Sequence, residues 1–101
     1  MKKATMSTKM APVHPGEILL EDFMVPRALT ANRLALELHV PANRISDMVR
    51  GERGISAETA LRLAAYFDTS PEFWMGLQSQ YDLQVAEDAA GERIRREVAR
   101  S

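Results

Sequence analysis

The residue types most often used for catalysis or metal binding are few in this chain and poorly spaced for either task. Its two histidines, His14 and His39, are far apart in sequence, and neither has a second ligand at a metal-binding spacing. Ser46, Ser56 and Ser70 have no base at a suggestive spacing, and the last two are better interpreted as helix caps. We therefore predict no enzyme, no metal site and no other cofactor.

The arginines offer a second kind of chemistry, which is contact with a polyanion. The formal net charge of the whole chain is −1, which by itself argues against nucleic acid. Residues 27–53, however, contain five arginines and three carboxylates, so the middle of the chain is basic. Because weak overall charge gives poor non-specific binding, affinity for nucleic acid must come from well-placed contacts at a defined site.

Length and composition predict one domain in a reducing compartment. A chain of 101 residues fits a single domain of modest stability, which pairing with a second copy would increase. The chain has no cysteine, so disulfides and thiolate metal sites are excluded. No apolar run reaches the roughly 18 residues of a membrane span. We expect a cytoplasmic protein with no membrane contact, whose residues 1–12 form a flexible polar tail.

Apolar residues at helical spacing predict an all-α fold of five helices without strands. The first helix begins at Pro15, and Pro26 ends it near Met24 or Val25, because the residue before a proline avoids helical dihedral angles. Side-chain hydroxyls are expected to cap the second, fourth and fifth helices, at Thr30, Ser56 and Ser70.

The fourth and fifth helices carry apolar stripes that predict a core. The expected inward residues are Ala60, Leu61, Ala64 and Phe67, followed by Phe73, Trp74, Leu77 and Tyr81. An aromatic stripe at this spacing is more typical of a core or dimer interface than of a base-stacking platform. After Leu83, Gly91 is expected to interrupt the chain before a short helix from Glu92 to Ala99.

Residues 30–55 have the composition of a helix-turn-helix. Two helices that cross through a short turn need a small side chain at their contact, which Ala35 supplies. The turn needs a left-handed residue, and His39, which tolerates positive φ better than most residues, occupies that place. The third helix, Ala42 to Arg50, is closed by Gly51. Five apolar residues fill the space beneath both helices: Leu34, Leu38, Val40, Ile45 and Met48.

This spacing resembles the helix-turn-helix of the Cro and phage-repressor (XRE) type, although most relatives would carry glycine where His39 stands. Motifs outside it resemble the HigA family of antitoxins: His14-Pro15-Gly16-Glu17-Ile18-Leu19, Gly54-Ile55-Ser56, Glu58-Thr59-Ala60-Leu61-Arg62-Leu63, and Thr69-Ser70-Pro71-Glu72-Phe73-Trp74. The match covers roughly residues 13–85. It implies a five-helix Cro/phage-repressor-like domain at 13–83, with the helix-turn-helix at about 31–50 and a C-terminal extension at 84–101.

The resemblance implies that the third helix is a recognition helix lying in the major groove of DNA. Asn43 and Arg44 would then read base edges, since asparagine pairs with adenine and arginine with guanine. Ser46 and Asp47 follow one turn later, where Asp47 either accepts from a cytosine amino group or restrains a neighbouring arginine, Arg44 or Arg50. Phosphate contacts would come from Arg50, Arg53, Asn32 and Arg33.

The resemblance also implies partners. A HigA-type antitoxin would form a homodimer, repress its own operon by binding a double-stranded, pseudo-palindromic operator, and neutralise a small, basic, RNA-cleaving toxin of the RelE-like class. Residues 84–101 would contact the second copy or the toxin. Two alternatives stay open: a free-standing XRE-type regulator without a toxin, or a protein-interaction module that has lost DNA binding, which the net charge of −1 would suit.

Overall fold

A computed structural model describes residues 11–100, and every regular element in this range is helical. The α-helices are α1 (Pro15–Ile18), α2 (Ala31–Leu38), α3 (Ala42–Val49), α4 (Ala57–Phe67), α5 (Pro71–Ala86) and α6 (Glu92–Glu97). Most of the predicted N-terminal tail, residues 1–10, lies outside the described residues, as does residue 101. Between residues 11 and 100, no helix combines the length and the apolar character needed to cross a bilayer.

The first helical segment does not end where the proline rule predicts. Helix α1 continues into a π-helical turn, Leu19–Met24, and then a 3₁₀ turn, Val25–Arg27. Val25 has helical dihedral angles (φ −59°, ψ −48°) although a proline follows it. The π-helical turn does end at Met24, within the predicted bounds, but the reason given for that boundary is wrong, because Val25 is helical and the chain continues as a 3₁₀ turn to Arg27. The change to 3₁₀ geometry places Pro26 in the first positions of a new turn, where its missing N–H costs no hydrogen bond.

The three predicted side-chain caps are all formed. In each, the hydroxyl oxygen accepts a hydrogen bond from the backbone N–H three residues later, which satisfies a donor that the helix itself leaves unpaired. The pairs are Thr30 with Arg33 (3.1 Å), Ser56 with Thr59 (3.2 Å) and Ser70 with Phe73 (3.0 Å). Local chemistry thus defines where α2, α4 and α5 begin.

The core lies between the first helical segment, α2, α3, α4 and the start of α5. Its buried apolar side chains are Leu19, Met24, Leu34, Ala35, Leu38, Ile45, Met48, Ile55, Ala60, Leu63, Ala64, Phe67 and Trp74. Of the five apolar residues predicted beneath the helix-turn-helix, four are buried, and Val40 is half-buried at the edge of the core. Burial of this apolar surface is the main stabilising term of the domain.

The inward face of α4 differs from the predicted one by a single leucine. Leu61 is 59% exposed, whereas Leu63 is fully buried. Ala60, Ala64 and Phe67 face inward as predicted, and Leu63 shares their side of the helix, while Leu61 lies about 100° away from Ala60. The placement of Leu61 in the core is therefore wrong.

The aromatic stripe of α5 is used for packing. Trp74 is fully buried, and the rings of Phe23 and Phe73 lie 4.8 Å and 5.0 Å from it. Phe73, predicted to face inward, sits at the rim of the cluster and is 40% exposed. The ring of Tyr81 stands edge-on against that of His14, with centroids 4.8 Å apart. These contacts leave no continuous aromatic face for stacking bases.

The helical backbone that begins with α5 continues through Gly91. It passes through a π-helical turn, Glu87–Gly91, into α6, and Gly91 has ordinary helical angles (φ −58°, ψ −47°). The prediction of an interruption there is wrong. The lack of a side chain on Gly91 lets the Glu87 carboxylate lie along the helix, where it pairs with the Arg95 guanidinium at 2.7 Å and 3.0 Å. A helical rod therefore runs from Pro71 to Glu97, ending two residues before the predicted Ala99.

Candidate DNA-binding surface

Helices α2 and α3 form the predicted helix-turn-helix. His39 ends α2 in the left-handed conformation (φ 60°, ψ 46°), as the sequence predicts. Its N–H donates to the carbonyl of Leu36 at 3.2 Å, and the N–H of Val40 donates to that of Ala35 at 3.0 Å. Ala35 is 2% exposed at the helix crossing, so the small residue is where the close approach requires it.

Helix α3 has one buried face and one open face. Ile45 and Met48 are fully buried, which directs the polar residues of the helix outward. The N-terminal end is also open, because Pro41 at the N-cap provides no side-chain acceptor. The backbone N–H groups of Ala42 and Asn43 therefore remain available to an outside acceptor such as a phosphate, whereas that of Arg44 donates to the Pro41 carbonyl at 3.0 Å.

The predicted contact residues divide into unpaired and paired side chains. Among the residues that the structure describes, four of these side chains have no hydrogen-bond or ion-pair partner: Asn32, Asn43, Arg44 and Arg53. Arg44 is the half-buried member of this set, and its Nε atom is buried without a partner. Unpaired donors of this kind keep their hydrogen-bonding capacity for a ligand.

Arg50 is held by carboxylates. Its Nη2 atom donates to Oδ1 of Asp47 at 2.6 Å and to Oε1 of Glu52 at 3.2 Å. Glu52 first, and Asp47 in addition, raise the pKa of Arg50 above its ordinary value. The sequence suggests Arg44 and Arg50 as possible partners of Asp47 within the chain. In the structure, Asp47 forms its ion pair with Arg50 and not with Arg44. For Arg50 to contact DNA, it would have to exchange these carboxylates for phosphate.

Two further predicted residues have internal partners. Arg33, near the start of α2, forms an ion pair with Glu37 at 2.8 Å. The Ser46 hydroxyl, half-buried on α3, donates to the carbonyl of Asn43 at 3.3 Å. Both interactions are at the surface, where such pairs contribute little to stability and exchange readily.

Sequence reasoning missed the residues that support α3 from behind. Gly16 in α1 lies so close to the carbonyl of Met48 that a Cβ atom there would overlap it. His14 caps α1 by accepting a hydrogen bond from the Gly16 N–H at its Nδ1 atom, at 2.9 Å. The His14 ring also lies against Gly51, the left-handed residue that closes α3 (φ 77°). The signal was present in the His14-Pro15-Gly16-Glu17 motif, which spacing alone did not connect to α3.

A second contact supports the loop that follows α3. Gln78 of α5 accepts a hydrogen bond from the Ile55 N–H at 2.7 Å, and its own amide donates to Asp82 at 2.9 Å. Gln78 also lies close to Gly54, where a Cβ atom would be only 3.0 Å from the amide. Helix α5 therefore contacts both the entry to α1, through Tyr81, and the loop beyond α3.

The described residues show no metal centre. Between residues 11 and 100, no cluster of three or more histidine, aspartate or glutamate side chains could hold an ion. The geometry instead presents a short, polar helix on a rigid support, which is an arrangement suited to binding a groove and not to chemical catalysis.

Comparisons with known proteins agree with this geometry. A family model described as helix-turn-helix matches residues 20–74, more than half of the chain. Virulence-associated protein I of Dichelobacter nodosus is 48% identical over 79 residues, which are 78% of this chain and 73% of the relative. Antitoxin HigA-1 of Vibrio cholerae is 37% identical over 76 residues, 75% of this chain and 71% of the relative.

A solved structure is similar over most of its length. It is that of Pseudomonas aeruginosa antitoxin HigA with the higBA promoter, which superposes with a TM-score of 0.85 at 48% identity. The match covers 87% of this chain and 96% of the other. The fold and the polar face of α3 define a helix-turn-helix protein, a class of regulators without enzymatic activity. The chain belongs to the XRE-type helix-turn-helix family, in the group that includes the HigA antitoxins.

Proposed function

We propose that this protein is a dimeric repressor that binds the operator of its own operon and serves as the antitoxin to an RNA-cleaving toxin. The observation that carries the DNA-binding part is the open face of α3, where the side chains of Asn43 and Arg44 have no hydrogen-bond or ion-pair partner among the described residues. The similar antitoxin HigA, whose structure includes the higBA promoter, supports the choice of ligand. Operator DNA lies in the cytoplasm, where we expect the protein to act.

Each residue of the surface has a proposed role. Arg44 reads a guanine and Asn43 an adenine, while Ser46 and Asp47 border the same bases. The phosphate backbone is contacted by the side chains flanking the motif, which are Asn32, Arg33, Arg50 and Arg53. Arg33 and Arg50 would give up Glu37, Asp47 and Glu52 to do so, which makes binding partly an exchange of one anion for another.

The dimer is proposed from the rod at the C-terminus. Beyond the core, Leu83, Ile94 and Val98 are 68%, 44% and 64% exposed, and apolar residues so placed lose water when a partner covers them. A symmetric dimer would present two copies of α3 to half-sites about one helical turn of DNA apart. The same extension, residues 84–101, is also the proposed contact for a small basic toxin; its four carboxylates are balanced by four arginines, so this part of the proposal rests on the exposed apolar residues and not on charge.

The DNA-binding part is tested with a labelled duplex from the region upstream of the protein's own gene. Binding should be sequence-specific and should weaken steeply with salt. Arg44→Ala should lose about 1–3 kcal/mol of binding free energy with an unchanged melting curve. Arg93→Ala is the matched control, because Arg93 is an exposed arginine on α6 and should not affect binding. Equal affinities of the two variants would contradict the proposed orientation of α3.

The antitoxin part is tested separately by co-expression with the reading frame next to the gene. We expect the two products to be purified together and the antitoxin to restore growth that the neighbour alone arrests. If no basic protein of RelE-like size is encoded there, or growth is not restored, the protein is a free-standing regulator. DNA binding can hold in either case.

A further inference from the structure

The His14 ring occupies a position where three parts of the fold meet. It caps α1 through its Nδ1 atom, it stands edge-on against Tyr81 of α5, and it lies against Gly51 at the end of α3. Gly16 permits this arrangement because a Cβ atom there would overlap the carbonyl of Met48, whereas Gly51 is favoured by its left-handed φ of 77° and lies near the His14 ring without being crowded by it. We call His14, Gly16 and Tyr81 the rear brace.

The rear brace acts on the recognition helix at one carbonyl group. The carbonyl of Met48 accepts the Gly51 N–H at 3.0 Å and also lies directly against Gly16. Gly16 therefore positions the last turn of α3, and the backbone N–H of Gly16 is itself held by the His14 ring. A movement of Gly16 would shift α3 relative to α2 and α4, and a recognition helix is sensitive to such shifts because base contacts require fixed geometry.

The cap depends on the protonation state of His14. Neutral imidazole can accept a hydrogen bond at Nδ1, but imidazolium carries a proton on both nitrogens and can only donate. Protonation would therefore place a donor against the Gly16 N–H and remove the acceptor from the start of α1. Partial burial of the ring is the main reason why the pKa of His14 is lowered, so the neutral form is the one that the fold favours.

The other groups facing His14 are few. Asp82 on α5 and Glu17 on α1 raise the pKa of the ring and so oppose the effect of burial. Tyr81 contributes an aromatic edge, and Gly51 contributes no charge. Arg50 and Glu52, on either side of Gly51, are ion-paired with each other. Burial and the Gly16 hydrogen bond are therefore the features that keep the ring neutral against two carboxylates.

We propose that His14 is a positioning residue for DNA recognition, whose neutral ring fixes the end of α3, so that its protonation weakens operator binding. This inference rests on the proposed function, because it assigns a role to the brace in binding DNA through α3. It predicts a pH dependence that begins in the range where histidine titrates and that is specific to one of the two histidines in the chain.

The test compares two asparagine variants. His14→Asn keeps an oxygen acceptor at the cap but cannot be protonated. His39→Asn keeps the left-handed turn, which asparagine tolerates, and leaves His14 in place. Affinity for the labelled upstream duplex is measured by fluorescence anisotropy between pH 7.5 and pH 5.5. We expect wild type and His39→Asn to lose on the order of threefold to tenfold in affinity, which corresponds to one hydrogen bond, and His14→Asn to lose much less.

A second measurement uses the protein without DNA. Backbone amide signals of Gly16, Val49 and Gly51 are followed by NMR over the same pH range. We expect them to shift together with the His14 ring in wild type and in His39→Asn, and to stay in place in His14→Asn. A purely local cap would shift Gly16 alone, and this result would overturn the proposal.

The two proposals fail in different ways. If wild type does not bind the duplex at pH 7.5, the proposed function is wrong, and the amide signals still decide whether His14 positions α3. If wild type binds at pH 7.5 and His14→Asn shows the same pH profile as wild type, only the role of His14 is wrong.

Discussion

The two ends of the rod from Pro71 to Glu97 have similar backbones but very different surroundings. Near its start, Trp74 is fully buried and its Nε1–H donates to the Thr69 hydroxyl at 2.7 Å. Near its end, Ile94 is 44% exposed, and exposed ion pairs such as that of Arg93 with Glu97, at 3.2 Å, link neighbouring turns. Helical structure therefore continues well beyond the hydrophobic core that anchors it.

The two ends of the rod are stabilised by different interactions. A helix anchored in a core is held by burial of apolar surface, whereas an exposed helical extension depends on continuity with the anchored part and on weak surface pairs. The first end supports α3, through the loop that follows it and the entry to α1. The second carries apolar residues that the monomer does not cover, and this is the reason for proposing that a partner covers them.

The largest expected effect comes from removing the anchor of the rod. Trp74→Ala should lower the free energy of unfolding by about 3–5 kcal/mol, because it leaves a cavity at the centre of the core. Leu83→Ala, on the same helix but 68% exposed, should change it by less than about 0.5 kcal/mol. Both are measured by urea unfolding. Similar losses for the two variants would mean that the rod is packed along its whole length.

A smaller effect distinguishes the two leucines of α4. Leu63→Ala should cost about 2–5 kcal/mol, since Leu63 is fully buried. Leu61→Ala removes the same atoms from a side chain that is 59% exposed, and should cost less than about 0.5 kcal/mol. Thermal or urea unfolding of this pair tests the direction of the α4 face. A larger loss for Leu61→Ala would restore the inward face that the sequence predicts.

The exposed end of the rod is tested by its effect on assembly and not on folding. Ile94→Asp should reduce the mass in sedimentation from dimer to monomer, because a carboxylate cannot be buried at an apolar interface without a partner. Leu61→Asp is the control, since it places the same charge at an equally apolar, exposed site on α4. If Ile94→Asp still sediments as a dimer, residues 84–101 do not form the dimer contact.

Local chemistry made several features predictable. The caps at Thr30, Ser56 and Ser70, the left-handed His39 and the small Ala35 are each required by a neighbouring backbone group, so residue type and spacing identify them. The open face of α3 could be predicted for a related reason. Its buried and polar residues alternate at a period that only a helix satisfies.

Other features depend on contacts that spacing does not contain. Helix α4 has apolar residues on more than one side, so its pattern does not determine whether Leu61 or Leu63 is buried. Gly91 lies within a continuous helical segment, where its lack of a side chain makes room for the Glu87–Arg95 pair, an interaction between residues too far apart to be expected on one helix. The Gly16 contact with Met48 joins two helices that are distant in sequence, which a motif by itself cannot show.

The smallest expected effect is the dependence of stability on pH through His14, which belongs to the anchored half of the molecule. Because burial lowers the pKa of folded His14, the unfolded chain takes up the proton first as the pH falls through the ordinary value of about 6.5. The contribution of neutral His14 to stability is therefore complete above that pH and decreases below it. Asp82 and Glu17 raise the pKa of His14 and make this decrease smaller. The melting temperature of wild type, relative to that of His14→Asn, should accordingly fall between pH 7.5 and pH 5.5, while His39→Asn follows wild type. If the difference in melting temperature between wild type and His14→Asn stays constant over this range, folding does not change the pKa of His14, and this prediction is wrong.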